Sequence, residues 1–297
     1  MEPAFTVITP AYNRAALLPA AHRSLLEQQE PSFEWVVIDD GSIDETRELV
    51  AELATASPFP VRYVWQENAG KHAALNHGVA LARGELVAIL DSDDTMAAEG
   101  LAALWETWQG IEPALRDGFA GVAGHFALPD GTLVGDPLPA PTVDASMFDL
   151  RIRHGVGGDK FEVFRRDVLE AFPFPLDLGR FVPEALIWNR ISRLHRHRWI
   201  DRVVAVKEYQ PGGLTDRSAR IRAESWQAAR LFYLEAAGMG PGLPPRYLFR
   251  TYANYVRFSL HGRVPRRQIV RDAPGRAAVL AAFPLGAALY AGDRRSG

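Results

Sequence analysis

Three acids, Asp91, Asp93 and Asp94, fall within four residues and directly follow the apolar segment 86–90. Neighbouring carboxylates repel one another unless a cation or hydrogen-bond donors neutralise them. Magnesium and manganese prefer oxygen ligands, and commonly use one or two carboxylates together with substrate phosphates. We therefore predict that Asp91, Ser92 and Asp93 form a metal and diphosphate site. The alternative is a helix cap, since acids favour helix N-termini, and we expect Asp94 to act only as a cap.

Two more polar segments come earlier in the chain, each after a strand-like run. Asp39 and Asp40 precede a Gly-Ser pair. A carboxylate at a strand end can accept a hydrogen bond from a uracil ring N–H, but a turn with a helix cap explains the same residues. In segment 9–14, Tyr12 can lie against a base and Arg14 near a phosphate, although alone this segment is only a strand-to-helix turn.

Strands alternate with helices at short spacing in the first third of the chain. Apolar and β-branched runs predict strands at residues 5–9, 33–40, 61–65 and 86–90. Polar caps and apolar periodicity predict helices at about 14–29, capped by Asn13, at about 42–56, capped by Ser42 or Asp44, and at 70–82. This alternation indicates a parallel sheet covered on both faces, in which ligands bind beyond the carboxyl ends of the strands. All three polar segments fall at that edge.

The rest of the chain shows weaker patterns. They predict strands and loops in 118–144, a strand at 160–166, a short helix at 167–171, a helix at 183–196 and a strand at 199–208. From about residue 218 onward the pattern is helical. We therefore expect an α/β fold, with a mostly parallel sheet flanked by helices and a C-terminal helical extension. His195 and His197 diverge on the predicted helix, so we interpret them as surface histidines rather than a metal pair.

The composition is that of an ordinary globular chain, with 47% hydrophobic and 23% charged residues among 297. The sequence contains no cysteine, which excludes disulfides, thiolate nucleophiles and zinc sites built on cysteine. We find no secretory signal and no apolar run of about 18 residues, the length that a membrane span needs. We therefore expect a cytoplasmic protein without a membrane span.

Charge is unevenly distributed along the chain. Residues 241–297 carry ten arginines and two acids, a net charge of +8, whereas the remaining 240 residues carry −11. Within this tail an apolar stretch at 277–291, which contains Pro284, lies between arginines. Such a stretch fits a helix lying in the interface of an anionic membrane, at its inner face, and a packed helix pair or a dimer contact is the alternative. The acidic body argues against a nucleic acid partner.

Four segments in this order resemble the ordered signatures of family 2 glycosyltransferases. They are residues 7–14 (VITPAYNR), 37–44 (VIDDGSID), 68–76 (NAGKHAALN) and 84–94 (GELVAILDSDD). The resemblance is close over about residues 4–105 and looser to about 215. It implies the GT-A (Rossmann-like) fold, a nucleotide-sugar donor that is most often a UDP-sugar, a divalent metal (Mn²⁺ or Mg²⁺), and inversion at the anomeric carbon.

The same resemblance implies roles for individual residues. It assigns to the nucleoside pocket Pro10, Tyr12, Arg14 and Asp40, with Asp39 close by. It directs Lys71 toward the donor phosphates or sugar. It places Asp91 and Asp93 in the sugar-diphosphate and metal site, with Asp93 as the direct ligand.

Inversion requires a base that takes a proton from the attacking hydroxyl. In the family this acid lies on the helix after the middle strands, where the present chain has Glu184. We predict that Glu184 is the catalytic base. The chain departs from the family pattern at Ala185, where a second acid is common, so the assignment depends on Glu184 alone. The alternative is an acid favoured only by the helix dipole.

The predicted domains are a catalytic domain at 1–217 and a helical extension at 218–297. The catalytic domain has a nucleotide-binding half to about residue 105 and an acceptor half from about 106. Segment 208–215 resembles the family's mobile loop, in which a glycine pair can act as a hinge. Arginines beyond it either reach phosphates or form a solvated helix face: Arg217, Arg220 and Arg222. Segment 154–159 is either an acceptor-facing loop or a plain turn.

Together these patterns predict an inverting transfer of a sugar from a nucleotide-diphosphate sugar to a hydroxyl of a glycan or lipid-linked acceptor. One rival is a nucleotidyltransferase that makes sugar nucleotides. That class typically carries a glycine-rich phosphate loop after the first strand, and segment 9–14 has no glycine. A second rival is an inactive nucleotide-sugar binding protein. The presence of Asp91, Asp93 and Glu184 argues against it.

Overall fold

The computed structural model describes residues 2–29, 31–209 and 218–296. The chain divides into two compact units, of which the first comprises Met1–Pro173 and Leu194–Gln210, and the second comprises Phe174–Arg193 and Pro211–Gly297. The first unit contains a sheet with helices, and the second contains only helices among its described residues. Segment 174–193, which holds Glu184, therefore groups with the C-terminal helices. The functional division near residue 217 stays a prediction.

The first unit combines nine strands with six α-helices and one 3₁₀ turn at Pro113–Gly118, counted over its described part. The strands are β1 (Phe5–Ala11), β2 (Phe33–Asp39), β3 (Val61–Trp65), β4 (Leu86–Ile89), β5 (Asp94–Met96), β6 (Phe119–Ala127), β7 (Thr142–Ala145), β8 (Lys160–Arg165) and β9 (Arg196–Lys207). The helices are α1 (Leu18–Leu26), α2 (Thr46–Ala56), α3 (Lys71–Leu81), α4 (Gly100–Gln109), α5 (Met147–Ile152) and α6 (Arg166–Ala171).

The sheet has the strand order β3-β2-β1-β4-β8-β6-β9-β5, and β7 pairs with β9. The four strands β1 to β4 run parallel to one another, as predicted. Beyond them the sheet is mixed, because β8 runs antiparallel between β4 and β6, and β5 and β7 run antiparallel to β9. The predicted α/β fold is confirmed, with antiparallel strands concentrated in its second half.

The centre of the sheet is buried because its side chains are apolar on both faces, as expected of a covered parallel sheet. Every residue of β2 is buried. Glu34 of β2 lies in this interior, and its Oε1 accepts hydrogen bonds from Thr6 Oγ1 at 2.8 Å and from the backbone N of Arg83 at 2.9 Å. These bonds fix the turn from α3 into β4, and thus the direction in which β4 delivers the acids that follow it.

Several predicted helix caps are wrong, because the helices begin later in the chain or the residue lies in a strand. Helix α1 begins at Leu18, and Asn13, with φ of 53°, accepts instead from Ile43 N at 2.9 Å. Helix α2 begins after Glu45, so neither Ser42 nor Asp44 holds the cap position. Asp94 caps no helix either, because it starts β5, and α4 begins only at Gly100.

The predicted helix at 183–196 is shorter than expected, and the strand after it begins earlier. Helix α7 is Glu184–Ile191, and β9 begins at Arg196. His197 is therefore a strand residue, only 2% exposed, and its interpretation as a surface histidine is wrong. Its ring packs edge-on against Phe164, at a centroid distance of 4.9 Å. Burial lowers the pKa of His197 to about 3.

The second unit consists of helices, as predicted for the C-terminal region. They are α7 (Glu184–Ile191), α8 (Ser218–Glu224), α9 (Trp226–Ala237), α10 (Pro245–His261), α11 (Arg266–Asp272) and α12 (Arg276–Ser296). Arg190 on α7 forms a bidentate ion pair with Glu235 on α9, in which Nε donates to Oε2 at 2.9 Å and Nη2 donates to Oε1 at 2.8 Å. This pair connects segment 174–193 to the other helices of the unit. Within the described ranges, no helix has the length and apolarity that crossing a membrane requires.

Candidate active site

The loops after β1 and β2 lie side by side at the carboxyl edge of the sheet. Asp40 N donates to the carbonyl of Ala11 at 2.8 Å, so the parallel pairing continues past the strand ends. Asn13 N donates to Ser42 Oγ at 2.8 Å, and Arg14 N donates to Thr46 Oγ1 at 3.2 Å. The structure thus brings the predicted segments 9–14 and 39–42 together. Tyr12 stands out from them with 49% of its surface exposed.

Asp39 is buried at the end of β2 and faces an open depression. Its Oδ2 accepts from Tyr63 Oη at 2.5 Å, and its Oδ1 accepts from Ser42 N at 2.8 Å. Burial and the bond to this carboxylate raise the pKa of Tyr63. The depression is also lined by Ile43 and Trp65. Tyr63 and Trp65 were not among the predicted site residues, and a polar-aromatic floor of this kind suits a planar base.

Both carboxylate oxygens of Asp40 accept hydrogen bonds from within the protein. Its Oδ1 accepts from Gln66 Nε2 at 2.7 Å and from Ala69 N at 2.9 Å, and its Oδ2 accepts from Gly70 N at 2.8 Å. The carboxylate thereby fixes the loop that leads into α3. Its observed contacts position Lys71, the first residue of that helix, whereas its contact with a nucleoside stays a prediction.

Lys71 reaches across to the acids that follow β4. Its Nζ donates to Asp91 Oδ2 at 2.8 Å and lies 2.6 Å from Oδ1. The approach to Oδ1 lacks hydrogen-bond geometry, and in the described part of the protein that buried oxygen has no hydrogen-bond donor. Burial by itself would raise the pKa of Asp91, but the Lys71 ammonium overcomes it and holds that pKa below its usual range.

The three acids after β4 lie close together. One carboxylate oxygen from each of Asp91, Asp93 and Asp94 lies within 4.8 Å of the other two. Burial, together with the charge of Asp91, raises the pKa of Asp93. The same two causes raise the pKa of Asp94 to about 7. We call this cluster the acidic edge. A divalent cation would relieve the repulsion, and three carboxylates match the oxygen ligands that magnesium and manganese prefer. The residues present therefore fit a metal ion.

Lys207, the last residue of β9, is a second cation at the acidic edge. The pairing of β5 with β9 places it opposite Asp94, and its Nζ lies 3.8 Å from Asp94 Oδ2 and 3.4 Å from Asp159 Oδ2. Burial opposes its charge, but these acids raise the pKa of Lys207 above its usual value. The sequence interpretation did not include it. Its position directly before the predicted mobile loop is the sequence signal that could have identified Lys207 as a site residue.

Asp159 comes from a loop that a buried lysine fixes. Lys160 is 4% exposed, and its Nζ donates to the carbonyls of Asp136 and Gly157, each at 3.1 Å. Here the loop crosses the segment that contains Gly135. Gly158, with φ of 81°, packs so tightly that an added Cβ would lie 2.3 Å from Gly135 Cα. Segment 154–159 is therefore a braced loop rather than a plain turn. Its role toward an acceptor stays a prediction.

Pro10 lies in β1, and Ser92 is buried beside Asp91 in the first unit. Other predicted residues fall in the second unit or outside the described ranges. Glu184 is the half-buried first residue of α7 and follows Pro183. This position is also one that the helix dipole favours for an acid, and the role of Glu184 as base stays a prediction. Residues 210–217 of the predicted mobile loop, with Arg217, lie outside the described residues. Arg220 pairs with Glu224 at 3.0 Å, and Arg222 donates to Tyr233 Oη at 3.2 Å.

Comparison with known sequences identifies a family. Residues 6–170 match the family described as Glycosyl transferase family 2. An uncharacterised glycosyltransferase of Nostoc sp. is 31% identical over 236 residues, 76% of this chain and 70% of that protein. A second relative is the GalNAc(5)-diNAcBac-PP-undecaprenol beta-1,3-glucosyltransferase of Campylobacter jejuni. It is 28% identical over 64% of this chain and 60% of its own length.

Solved structures give the same fold. TarS 1–349 of S. aureus in complex with UDP has a TM-score of 0.62 at 16% identity, covering 100% of this chain and 92% of that chain. The mannosyltransferase PcManGT of Pyrobaculum calidifontis, in complex with GDP-Man and Mn²⁺, has a TM-score of 0.57 at 24% identity, covering 100% and 81%. These likenesses confirm the predicted GT-A type of fold. The family match and the Nostoc relative establish the family: the chain belongs to the family 2 glycosyltransferases.

Proposed function

We propose that this glycosyltransferase takes a sugar from a nucleoside diphosphate sugar, with UDP as its nucleotide, and transfers it with inversion to a hydroxyl of a glycan or lipid-linked acceptor. The observation that carries the proposal is the acidic edge, whose three carboxylates converge within 4.8 Å beside the ammonium of Lys71. The carboxylates can bind a metal ion, and the ammonium can bind an anion. A metal-bound diphosphate supplies both partners.

The donor side of the reaction uses residues from one sheet edge. Asp39 and the Tyr63 that donates to it offer polar atoms to a base at the end of β2. Lys71 holds Asp91 in position and presents a positive charge toward the diphosphate. A divalent ion held by Asp93 and Asp91 would stabilise the charge that develops on the departing nucleoside diphosphate. These residues thus bind, orient and neutralise the leaving group.

The acceptor side requires one proton transfer. As the acceptor oxygen bonds to the anomeric carbon, the bond from that carbon to the diphosphate oxygen breaks on the opposite face. The acceptor's proton passes to a base, and we assign this role to Glu184. The acceptor class is supported by the Campylobacter relative, whose name gives an undecaprenol diphosphate-linked glycan as its substrate.

The Glu184 assignment is tested by Glu184→Gln, which keeps the size of the side chain and removes its basicity. We expect donor binding to be unchanged and transfer to fall by about 10²–10⁴-fold, the usual contribution of a positioned base. The measurement pairs nucleotide-sugar binding with release of nucleoside diphosphate in the presence of acceptor. Full transfer activity in the variant would remove Glu184 from the mechanism but leave the donor site intact.

The same assays distinguish this proposal from two other functions. A sugar-nucleotide nucleotidyltransferase would form a nucleotide sugar from a nucleoside triphosphate and a sugar phosphate, and release pyrophosphate. An inactive binding protein would bind the donor without transferring or hydrolysing the sugar. We expect neither result, because the family match and the complete acidic edge favour a working transferase.

A further inference from the structure

The second unit has a small core of its own, and it uses only one side of α12. Val279 and Ala282 of α12 are fully buried with Ala253 and Val256 of α10. The two helices approach closely at Gly286, where an added Cβ would lie 2.5 Å from the carbonyl oxygen of Ala253. Part of the apolar stretch predicted from the sequence is therefore ordinary packing between helices.

The other side of α12 is apolar but exposed. Side chains that recur at helical spacing form this side: Ala277, Leu280, Ala281, Pro284, Leu285, Ala288 and Ala291. Leu280 is 59% exposed and Leu285 is 38% exposed. No charged residue occurs between Arg276 at its start and Asp293. We call this side of the helix the α12 face.

Internal ion pairs take up both acids of this region. Asp272 Oδ2 accepts from Arg230 Nη2 at 2.8 Å. Asp293 Oδ2 accepts from Arg257 Nε at 2.6 Å and lies 2.8 Å from His261 Nε2. Both acids are therefore neutralised inside the unit, and the remaining surface charge of the region is positive.

Eight exposed arginines surround these helices without an acid partner among the described residues: Arg246, Arg250, Arg263, Arg266, Arg267, Arg276, Arg294 and Arg295. One of them lies directly beside α12, since the guanidinium of Arg266 sits 5.2 Å from the centre of the Phe283 ring. Arg276 and Arg294 lie at the two ends of the α12 face. An exposed apolar strip is therefore flanked by cations that are not neutralised.

We propose that the α12 face lies in the interface of an anionic membrane, with Leu280 and Leu285 at the boundary of the acyl chains and the flanking arginines on lipid phosphates. A helix with apolar side chains on one face and cations around it has the chemistry of interfacial binding. A nucleic acid would use the arginines but not the exposed leucines. The proposal does not depend on the proposed function, because binding to lipid can be measured without any sugar donor.

The test is flotation of the full chain with vesicles of phosphatidylcholine containing about one third phosphatidylglycerol, where the anionic lipid supplies the charge. We expect the protein to float with these vesicles, to remain unbound with pure phosphatidylcholine, and to dissociate at high salt. Arg266→Gln with Arg276→Gln should weaken partitioning about thirtyfold, from about 1 kcal/mol per arginine near the surface. Leu280→Ser with Leu285→Ser should weaken it at least about tenfold through lost apolar burial.

The matched control is Arg23→Gln with Arg83→Gln, which removes the same charge from exposed positions of the first unit. It should float like the unmodified protein, and thermal unfolding should show that all variants remain folded. Equal loss in the control, or equal binding to neutral vesicles, would overturn the proposal. So would a chain that does not float but forms a dimer that the leucine variant separates, since the face would then bind a second copy.

Discussion

The acidic edge of the first unit and the α12 face of the second unit treat charge in opposite ways. At the acidic edge, burial and the nearby charge of Asp91 raise the pKa values of Asp93 and Asp94. In the second unit, Asp272 and Asp293 are each bonded to an arginine, and their pKa values are lowered although burial opposes the shift.

The difference shows what each surface lacks. The acidic edge concentrates negative charge beyond what Lys71 and Lys207 neutralise, so it calls for a cation. The C-terminal part of the second unit pairs Asp272 and Asp293 internally and leaves arginines exposed, so it can bind anions. In both places the informative feature is charge that the fold does not pair, because unpaired charge is costly unless solvent or a ligand stabilises it.

The largest effect that tests this contrast is expected from Asp93→Asn. The change removes one repelling charge, so the fold should be at least as stable, while metal-dependent transfer should fall by about 10³-fold or more as several kcal/mol of transition-state stabilisation are lost. Activity as a function of Mn²⁺, with thermal unfolding, measures both. Asp130→Asn, at an exposed turn of the same unit, is the control and should retain full activity.

A second prediction concerns how rigidly the acidic edge is supported. Gly158→Ala places a methyl group against Gly135 at a positive φ, and should lower the free energy of unfolding by about 2–4 kcal/mol. Gly131→Ala is a matched control, because φ is 85° there and nothing lies within 4 Å of an added Cβ. It should cost only about 1–2 kcal/mol. Equal losses in urea unfolding would show that the crossing of the two loops is not under steric constraint.

A third prediction separates charge from structure at Lys207. Lys207→Met leaves Asp94 and Asp159 without their shared cation, and should weaken metal affinity or activity by about 10–100-fold, as is usual for residues that orient metal ligands. Lys207→Arg keeps the charge and should recover part of the loss. The apparent Kd for Mn²⁺ is the readout, and a methionine variant with an unchanged Kd would contradict this role.

The smallest expected effect is on stability in mild acid. His197 has a pKa of about 3 in the folded state, below the value of about 6.5 in an unfolded chain, so the unfolded state binds more protons as the pH falls. Stability is therefore fully present above about pH 6.5 and declines toward pH 3, with a loss of about 2 kcal/mol between pH 7 and pH 5. Urea unfolding at the two pH values, with His197→Phe as the comparison, should show a smaller pH dependence in the variant. An equal dependence would exclude His197 as the cause.

Local patterns in the sequence were sufficient to predict that the polar segments of the first unit meet at one edge of the sheet. Asp91 and Asp93 directly follow a strand, and Asp39 ends one, so a parallel sheet necessarily places them at one edge. The roles of Asp94 and Lys207 depend on the pairing of β5 with β9, across more than a third of the chain, and no local periodicity reports such a pairing. The cap predicted at Asn13 failed for the same reason, since a contact with the loop after β2 takes its side chain.

The central claim is that the acidic edge binds a nucleotide sugar through a divalent metal. Calorimetric titration of the full chain with a panel of UDP- and GDP-sugars tests it, with Mn²⁺ or Mg²⁺ and then with a chelator. We predict that at least one nucleotide sugar binds with metal, and that chelator or Asp93→Asn abolishes or greatly weakens binding. Absence of binding by every nucleotide sugar and nucleoside diphosphate, or equal binding with chelator, would contradict the account.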